Sequence, residues 1–449
     1  MKRLLPLLAV VMLSSANAEM RFWTNLNGQL VEAEMLGVNA TARTVQVRLK
    51  NGQVAELPIA ELSPPDREFA KLQWAKMQSG EIAPPATESG ISYQQLASIP
   101  AKVAVRFTAA GRQKSVRESG VTADVEGAVV RSLDWLQSKQ NADGSWGSAN
   151  HAAMTGFALQ CYYGHGEMPE SPKYGETIVK GLMFLVELGK KNPHGMLSAA
   201  WEGNKGGAGT YEHAIATVSM AEAYQFGRLG TKALPGLREC FENAIKLIIA
   251  QQSDKGSWGY GGKEIAYNPQ TGNDLSVANW HYLALHAAKK TSLKIDGLET
   301  ACQKAVNGIL AKQTRDGGFG GANRDAHYNQ WSLSGGSTAG LLLLDAAQAP
   351  TATKGLKFLS DFLQAEPPDW NTNCNLYCWH GYTHAFRLAP EAEWKNYASK
   401  VLPIVAAAQD VDGSFKRGTA NWPAGDASND IYRACLCTLI LETPYRFVK

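Results

Sequence analysis

Asp274, His380 and His384 are the side chains whose type and setting could do chemistry. The run Cys374-x3-Cys378-x-His380-x3-His384 has the residue types of a zinc site. On a helix, at about 100° per residue, its four members fall near 0°, 40°, 240° and 280°. The thiols and the imidazoles then form two separate stripes that do not converge on one tetrahedral ion, so no metal is expected. Tyr377 shares the stripe of His380 and His384, and the three could line a cavity as hydrogen-bonding or acid–base groups. Asp274 precedes the apolar run Leu275–Ala288. It reads as an N-cap accepting backbone N–H bonds, or as a catalytic carboxylate where a helix end opens on a cavity. Gly335-Gly336-Ser337-Thr338-Ala339 has the outline of a nucleophile elbow, but it lacks the final Gly and a preceding strand. Gly206-Gly207-Ala208-Gly209-Thr210 lacks the Lys of a phosphate loop, and Asp410-x-Asp412 is too short for a calcium loop. No cofactor is implied.

These residues sit in a repeated framework. Gln140…Asp143-Gly144-Ser145-Trp146 recurs as Gln251…Lys255-Gly256-Ser257-Trp258, Gln313…Asp316-Gly317-Gly318-Phe319 and Gln409…Asp412-Gly413-Ser414-Phe415. The Gln residues are 111, 62 and 96 positions apart in turn, which fits a unit of roughly 50–60 residues with a degenerate copy in each long gap. Each unit reads as an outer helix, a Gly-rich turn and an inner helix. The expected outer helices are 126–140, 175–190, 236–252, 296–313, 351–364 and 391–409. The expected inner helices are 151–163, 211–226, 274–288, 337–347, 375–388 and 429–442. Outer helices carry an apolar stripe, as in Val129-Leu133-Leu136, whereas inner ones are apolar on most faces and so buried all round. Six of each would close an (α/α)6 toroid.

Residues 126–449 resemble the α/α toroid of squalene and oxidosqualene cyclases, prenyltransferase β subunits and complement thioester domains. The likeness rests on the four Gln…Gly…Trp/Phe turns. It is closest to exported bacterial proteins with prenyltransferase/squalene-oxidase repeats, through Tyr211-x-His213, Asp274-x-Ser276-Val277-x-x-Trp280 and Asn375-Leu376-Tyr377-x-Trp379. The resemblance implies a fold and leaves the activity open. The Asp-x-Asp-Asp acid of proton-initiated cyclases is missing, since Leu275-Ser276 follow Asp274. The zinc-binding Asp-x-Cys of prenyltransferases and the Gly-Cys-Gly-Glu-Gln thioester are missing too. What remains is a lumen expected to be lined by Tyr211, His213, Trp280, His281, Tyr377, His380, His384 and Tyr432, with Asp274 and Asp430 at helix starts. Such a lumen would suit an isoprenoid-like or other hydrophobic small molecule, or else is a filled core.

Residues 19–78 read as a small β module. Val45, Val47 and Leu49 alternate on one face, Asn51-Gly52 is a hairpin turn, and Ser63-Pro64-Pro65-Asp66 opens a helix. The segment resembles the SLA1 homology domain 1, an SH3-like barrel, through Arg21-x-Trp23-Thr24, Val31–Gly37, Val45–Leu49, Leu57-Pro58-Ile59 and Leu62-Ser63-x-x-Asp66. That likeness implies a protein or peptide partner. Residues 79–125, with Ile82-Ala83-Pro84-Pro85-Ala86, read as a linker.

Residues 1–18 read as a signal peptide: Lys2-Arg3, the apolar run Leu4–Leu13, and Ala16-Asn17-Ala18 as cleavage site. The expectation is export, to a periplasm or beyond. The whole chain has 44 basic against 41 acidic residues, which argues for neither nucleic acid nor an anionic membrane as partner. No later run is long enough to span a bilayer. Seven cysteines leave at least one thiol free, and a Cys240–Cys302 bridge requires both to face inward. Three functions fit: an exported protein-binding or scaffold protein, a cyclase- or prenyltransferase-like enzyme using Asp274 or the His380/His384 stripe, and a carrier of a hydrophobic ligand. An open acidic lumen would favour the enzyme and a filled one the scaffold.

Overall fold

The computed structural model describes residues 20–40, 42–50, 53–79, 81–82, 86–198, 208–230, 232–260, 273–320, 330–345, 349–417 and 430–447. The signal peptide, the Asn51-Gly52 turn, Pro84-Pro85 and Gly206-Gly207 lie outside them, while Ala208–Thr210, expected as loop, open a helix. The chain divides into two compact units, residues 1–87 with 91–99, and residues 88–90 with 100–449.

The smaller unit is a four-stranded antiparallel meander, β1 (Met20–Thr24), β2 (Leu30–Asn39), β3 (Thr44–Leu49) and β4 (Val54–Pro58), followed by helix α1 (Pro64–Ser79). Its core is Trp23, Ala33, Met35, Val45, Val47, Leu62 and Ala70. Val45 and Val47 point inward together because side chains alternate along a strand. Trp23 satisfies its indole N–H on the Ala33 carbonyl at 3.0 Å and meets Phe69 edge-on. Asp66 is buried and accepts from Ser63 Oγ, the Thr24 amide and Arg21, so one carboxylate pins the start of α1 to β1. Within 79–125, expected as a linker, the chain forms α2 (Tyr93–Ala97), α3 (Ala101–Ala104) and α4 (Ala109–Glu118). Ser92 and Gln95 build a capping box for α2, while Thr108 caps α4. These caps carry a polar, unpatterned sequence into helix.

The larger unit is helical. The outer helices are α5 (Val125–Ser138), α7 (Gly175–Lys191), α9 (Leu237–Ala250), α11 (Leu298–Leu310), α13 (Ala349–Ala365) and α15 (Glu391–Ala407). Between them run the inner helices α6 (His151–His165), α8 (Ala208–Gly227), α10 (Leu275–Lys290), α12 (Gln330–Leu344), α14 (Leu376–Leu388) and α16 (Asp430–Arg446). Each inner helix packs on the next, and α16 packs on α6, which closes the ring. The molecule is mainly α, an (α/α)6 toroid with a small N-terminal antiparallel sheet.

The repeat turn is a clamp between outer helices. Gln140, Gln252, Gln313 and Gln409 each donate through Nε2 to the carbonyl of the Gly four residues on. The same amide reaches the first turn of the next outer helix, at the carbonyls of Thr177, Ala301, Thr351 and Ala128. The repeat residue in the second turn is therefore Gln252, not Gln251, because only the later Gln is in register with Gly256. Gly144, Gly256, Gly317 and Gly413 all have φ between 73° and 95°. A Cβ on Gly256 would stand 1.8 Å from the Lys304 carbonyl oxygen. Left-handed backbone and close approach thus both require glycine there. Trp146 and Trp258 cover the turn and donate to Leu136 and Ile248 carbonyls in the outer helix they follow. The Gln409 clamp joins α15 back to α5, the first outer helix.

Helix α12 starts seven residues earlier than expected, and the elbow-like Gly335-Gly336 lies within it. A Cβ on Gly335 would meet Gly381 and Tyr382 at 2.7 Å, and one on Gly336 would meet Asn279 at 2.4 Å. The glycines let α12 lie against α14 and α10, so the elbow-like sequence is a packing device. All seven cysteines are free and buried. Cys240 is spent on the Leu185 carbonyl of α7, and no Cys240–Cys302 bridge forms.

Candidate functional site

The lumen is crossed at mid-height by aromatic rings from four inner helices. Phe157 meets Trp280 edge-on at 5.2 Å and Tyr432 at 5.5 Å. Trp280 in turn lies 6.0 Å from Tyr377 and stacks on His380 at 5.5 Å. His380 and His384 follow at 4.2 Å, and His384 meets Phe447 at 4.8 Å. The gap left between Trp280, Tyr377, His380 and Gly336 is about 20 Å³, room for about one water. Phe157, Trp280 and His380 each lie in the second turn of their helix, so parallel inner helices bring them to one level.

The expected stripe of Tyr377, His380 and His384 is therefore assembled in the lumen. Burial, with Arg446 nearby, lowers His380 to about 3. His384 is pushed well below the ordinary imidazole range by burial, then by His380 and Arg446. Both rings are neutral at pH 7. Burial also drives the phenols of Tyr377 and Tyr432 up, so neither is a ready base.

Asp274 is at the other level, where the inner helices begin. Its carboxylate accepts from the amides of Ser276 (2.8 Å) and Val277 and from Ser276 Oγ at 2.5 Å. It is the N-cap of α10. Tyr211 is next to it through Ser276, with hydroxyls 2.7 Å apart, and also bonds Tyr260. Asp430 opens α16 and is paired with Arg433 at 2.5 Å and Arg417 at 3.4 Å. No second carboxylate bonds Asp274 among the described hydrogen bonds, and a lone capping carboxylate lacks what would make it a strong acid. His213 departs from its expected place. Its Nδ1 accepts from the Leu197 amide and its Nε2 donates to Ala244 of α9, so it faces the outer layer. His281 does likewise, stacked on Trp258 at 4.7 Å.

Sequence reasoning missed Phe157, Arg106, Glu222, His286 and Arg446. Phe157 and His286 sit within inner helices at lumen-facing positions. Arg106 comes from the stretch read as a linker and carried no signal. Arg446 pairs with both oxygens of Glu222 at 2.7 and 2.8 Å. Arg106 donates to the Arg446 carbonyl at 2.7 Å, tying the segment before α4 to the end of α16. A second cluster, His165 between Glu126 and Glu167 with Arg112 beside it, secures α4 and α5 to α6. Among the described residues, no group of three His, Cys, Asp or Glu side chains could hold a metal ion. No described helix is long and apolar enough to cross a membrane.

No protein-family model and no curated protein matches the chain. Solved structures do. The inactive α-1,6-mannanase GH76A of Salegentibacter sp. HEL1_6, in complex with α-1,6-mannotetrose, aligns with a TM-score of 0.50 at 11% identity, over 73% of this chain and 100% of that one. The type II terpene cyclase MstE from Scytonema aligns at 0.47 and 11% identity, over 75% and 100%. A protein from Actinoplanes aligns at 0.44 and 15%, over 72% and 99%. The mannanase alignment places the helical unit among α/α toroids. At this identity it shows the fold alone.

Proposed function

We propose that this chain is an exported binding or scaffold protein whose toroid is not a cyclase or prenyltransferase. The observation that carries the proposal is the aromatic plug. A lumen with a gap of about 20 Å³ at mid-height has no room for a folded polyprenyl chain. Asp274 is used as a helix cap, and the nearest imidazoles are neutral and lie at another level. Export rests on residues 1–18 of the sequence. The β module is the proposed protein-contacting part, in line with its likeness to the SLA1 homology domain 1. Phe22, Leu26 and Leu30 stand exposed on the β1–β2 hairpin, and β1 is a sheet edge that could take up a strand.

The test is native mass spectrometry of the protein from its exported fraction, followed by denaturing lipid extraction. The expected result is a chain beginning at Glu19, free of terpenoid, with any partner lost when residues 20–79 are deleted. A stoichiometric polyprenyl or terpenoid lipid would refute the proposal.

A further inference from the structure

The barrel holds a second space at the end where the inner helices finish, with a volume of about 260 Å³. All six inner helices reach it, through Gln160, Glu222, His286, Leu343, Leu388 and Leu439, and Val103 and Arg106 lie across it. Two features mark it as a built site. His380 and His384 line it while only 5% and 7% exposed, and neither ring has a hydrogen-bond partner among the described residues. Every other deeply buried imidazole is engaged: His165 by two carboxylates, His213 by an amide and a carbonyl, His281 and His286 by carbonyls. Both rings turn polar nitrogens to this space, where a ligand's acceptors would satisfy the N–H of each.

The second feature is charge. Arg446 pairs with Glu222 and with Glu442, whose carboxyl burial pushes well above the usual carboxylate range, while Arg106 is buried with its Nε unpartnered and Lys102 and Lys290 stand at the exposed rim. The remaining wall is apolar, chiefly Leu283, Leu343, Leu388, Leu439 and Phe226. Neutral imidazoles present N–H donors to an anion, and guanidinium and ammonium groups set a positive field.

We propose that this cavity binds a small monocarboxylate with an apolar body, its acid group on His380 and His384 beside Arg446 and its chain against the leucines. At about 30 Å³ per heavy atom the space takes a body of roughly eight to ten atoms. The site is on the far side of the aromatic plug from Asp274, so it does not depend on whether the upper lumen is used.

Isothermal titration of the full mature chain with octanoate, octanol and acetate tests the proposal. Octanoate should bind one per chain, with octanol and acetate at least tenfold weaker. His380→Ala and Leu343→Trp, which removes an imidazole and fills the cavity respectively, should each weaken octanoate at least tenfold, with thermal melts confirming folding. If a variant does not fold, the three-ligand comparison on the unaltered chain decides. No octanoate binding up to about 1 mM, octanol binding as well as octanoate, or full affinity in folded His380→Ala would each overturn the proposal.

Discussion

At the scale of single residues, two kinds of group dominate. Turn glycines are the first. Gly256 combines φ of 73° with a carbonyl 1.8 Å from where a Cβ would stand. Gly256→Ala should therefore cost about 3 kcal/mol, from left-handed strain plus overpacking. Gly227→Ala, at the end of α8 with nothing within 4 Å, should be neutral or slightly stabilising. Chemical denaturation of both variants checks the contrast. Buried imidazoles are the second kind. His213 and His286 are lowered to about 4, His281 and His380 to about 3, and His384 well below the ordinary imidazole range, with burial the first cause for all five. A lowered folded pKa means the unfolded chain takes up protons first as pH falls. Stability is then complete above about 6.5 and lost on acidification towards pH 4, by up to about 1.4 kcal/mol per pH unit for each ring. His165 has the opposite sign: the charged form is favoured by Glu126 and Glu167 against burial, and its contribution is lost as pH rises through its raised pKa. Urea midpoints from pH 7.5 down to 5 should fall steeply, and a flat profile would contradict the burial of these rings.

At the scale of elements, the repeat clamps divide the ring. They join α15 to α5, α5 to α7, α9 to α11 and α11 to α13. The two remaining seams lack the full turn. After α7, Lys191 stands four residues before Gly195 in place of Gln, and the following Asn192 bonds its own turn at the Met196 and Ser198 carbonyls. After α13, Pro368 stands where the Gly would be, although Trp370 keeps the aromatic place and meets Trp379. Surface grooves of about 570 and 490 Å³ open at these two places. The outer layer is thus two clamped blocks of three helices. Amide hydrogen exchange should be faster at the ends of α7 and α13 than at the four clamped turns. Gln409→Ala removes three side-chain bonds at the ring's closing seam, the third accepted from exposed Arg131, and should lower stability by about 1–2 kcal/mol, read by thermal melting. Equal exchange at all six seams would show that packing, not the clamp, holds the outer layer.

At the scale of the whole molecule, the toroid was legible in the sequence because its period is written in Gln, Gly and Trp/Phe at fixed offsets. All twelve ring helices lie where that period puts them, to within a few residues apart from α12. The Gly335-Gly336 pair lies inside α12 against Gly381 of α14, a contact that only the fold shows. The site was less legible. The His380/His384 stripe follows from helical spacing, but His213 was assigned to the lumen on its helix alone, and it turns to the outer layer to bond Leu197 and Ala244. Arg106 and Arg446 lie 340 residues apart in the chain and meet only in the closed ring. The central claim is that Trp280 and its neighbours block the barrel. The most direct measurement is equilibrium binding of geranylgeraniol to the unaltered chain and to Trp280→Ala. The unaltered chain should take up none, while a folded Trp280→Ala, relieved of the largest ring in the plug, should bind. Stoichiometric binding by the unaltered chain would contradict the claim and make the aromatic-lined level of the lumen a polyprenyl site.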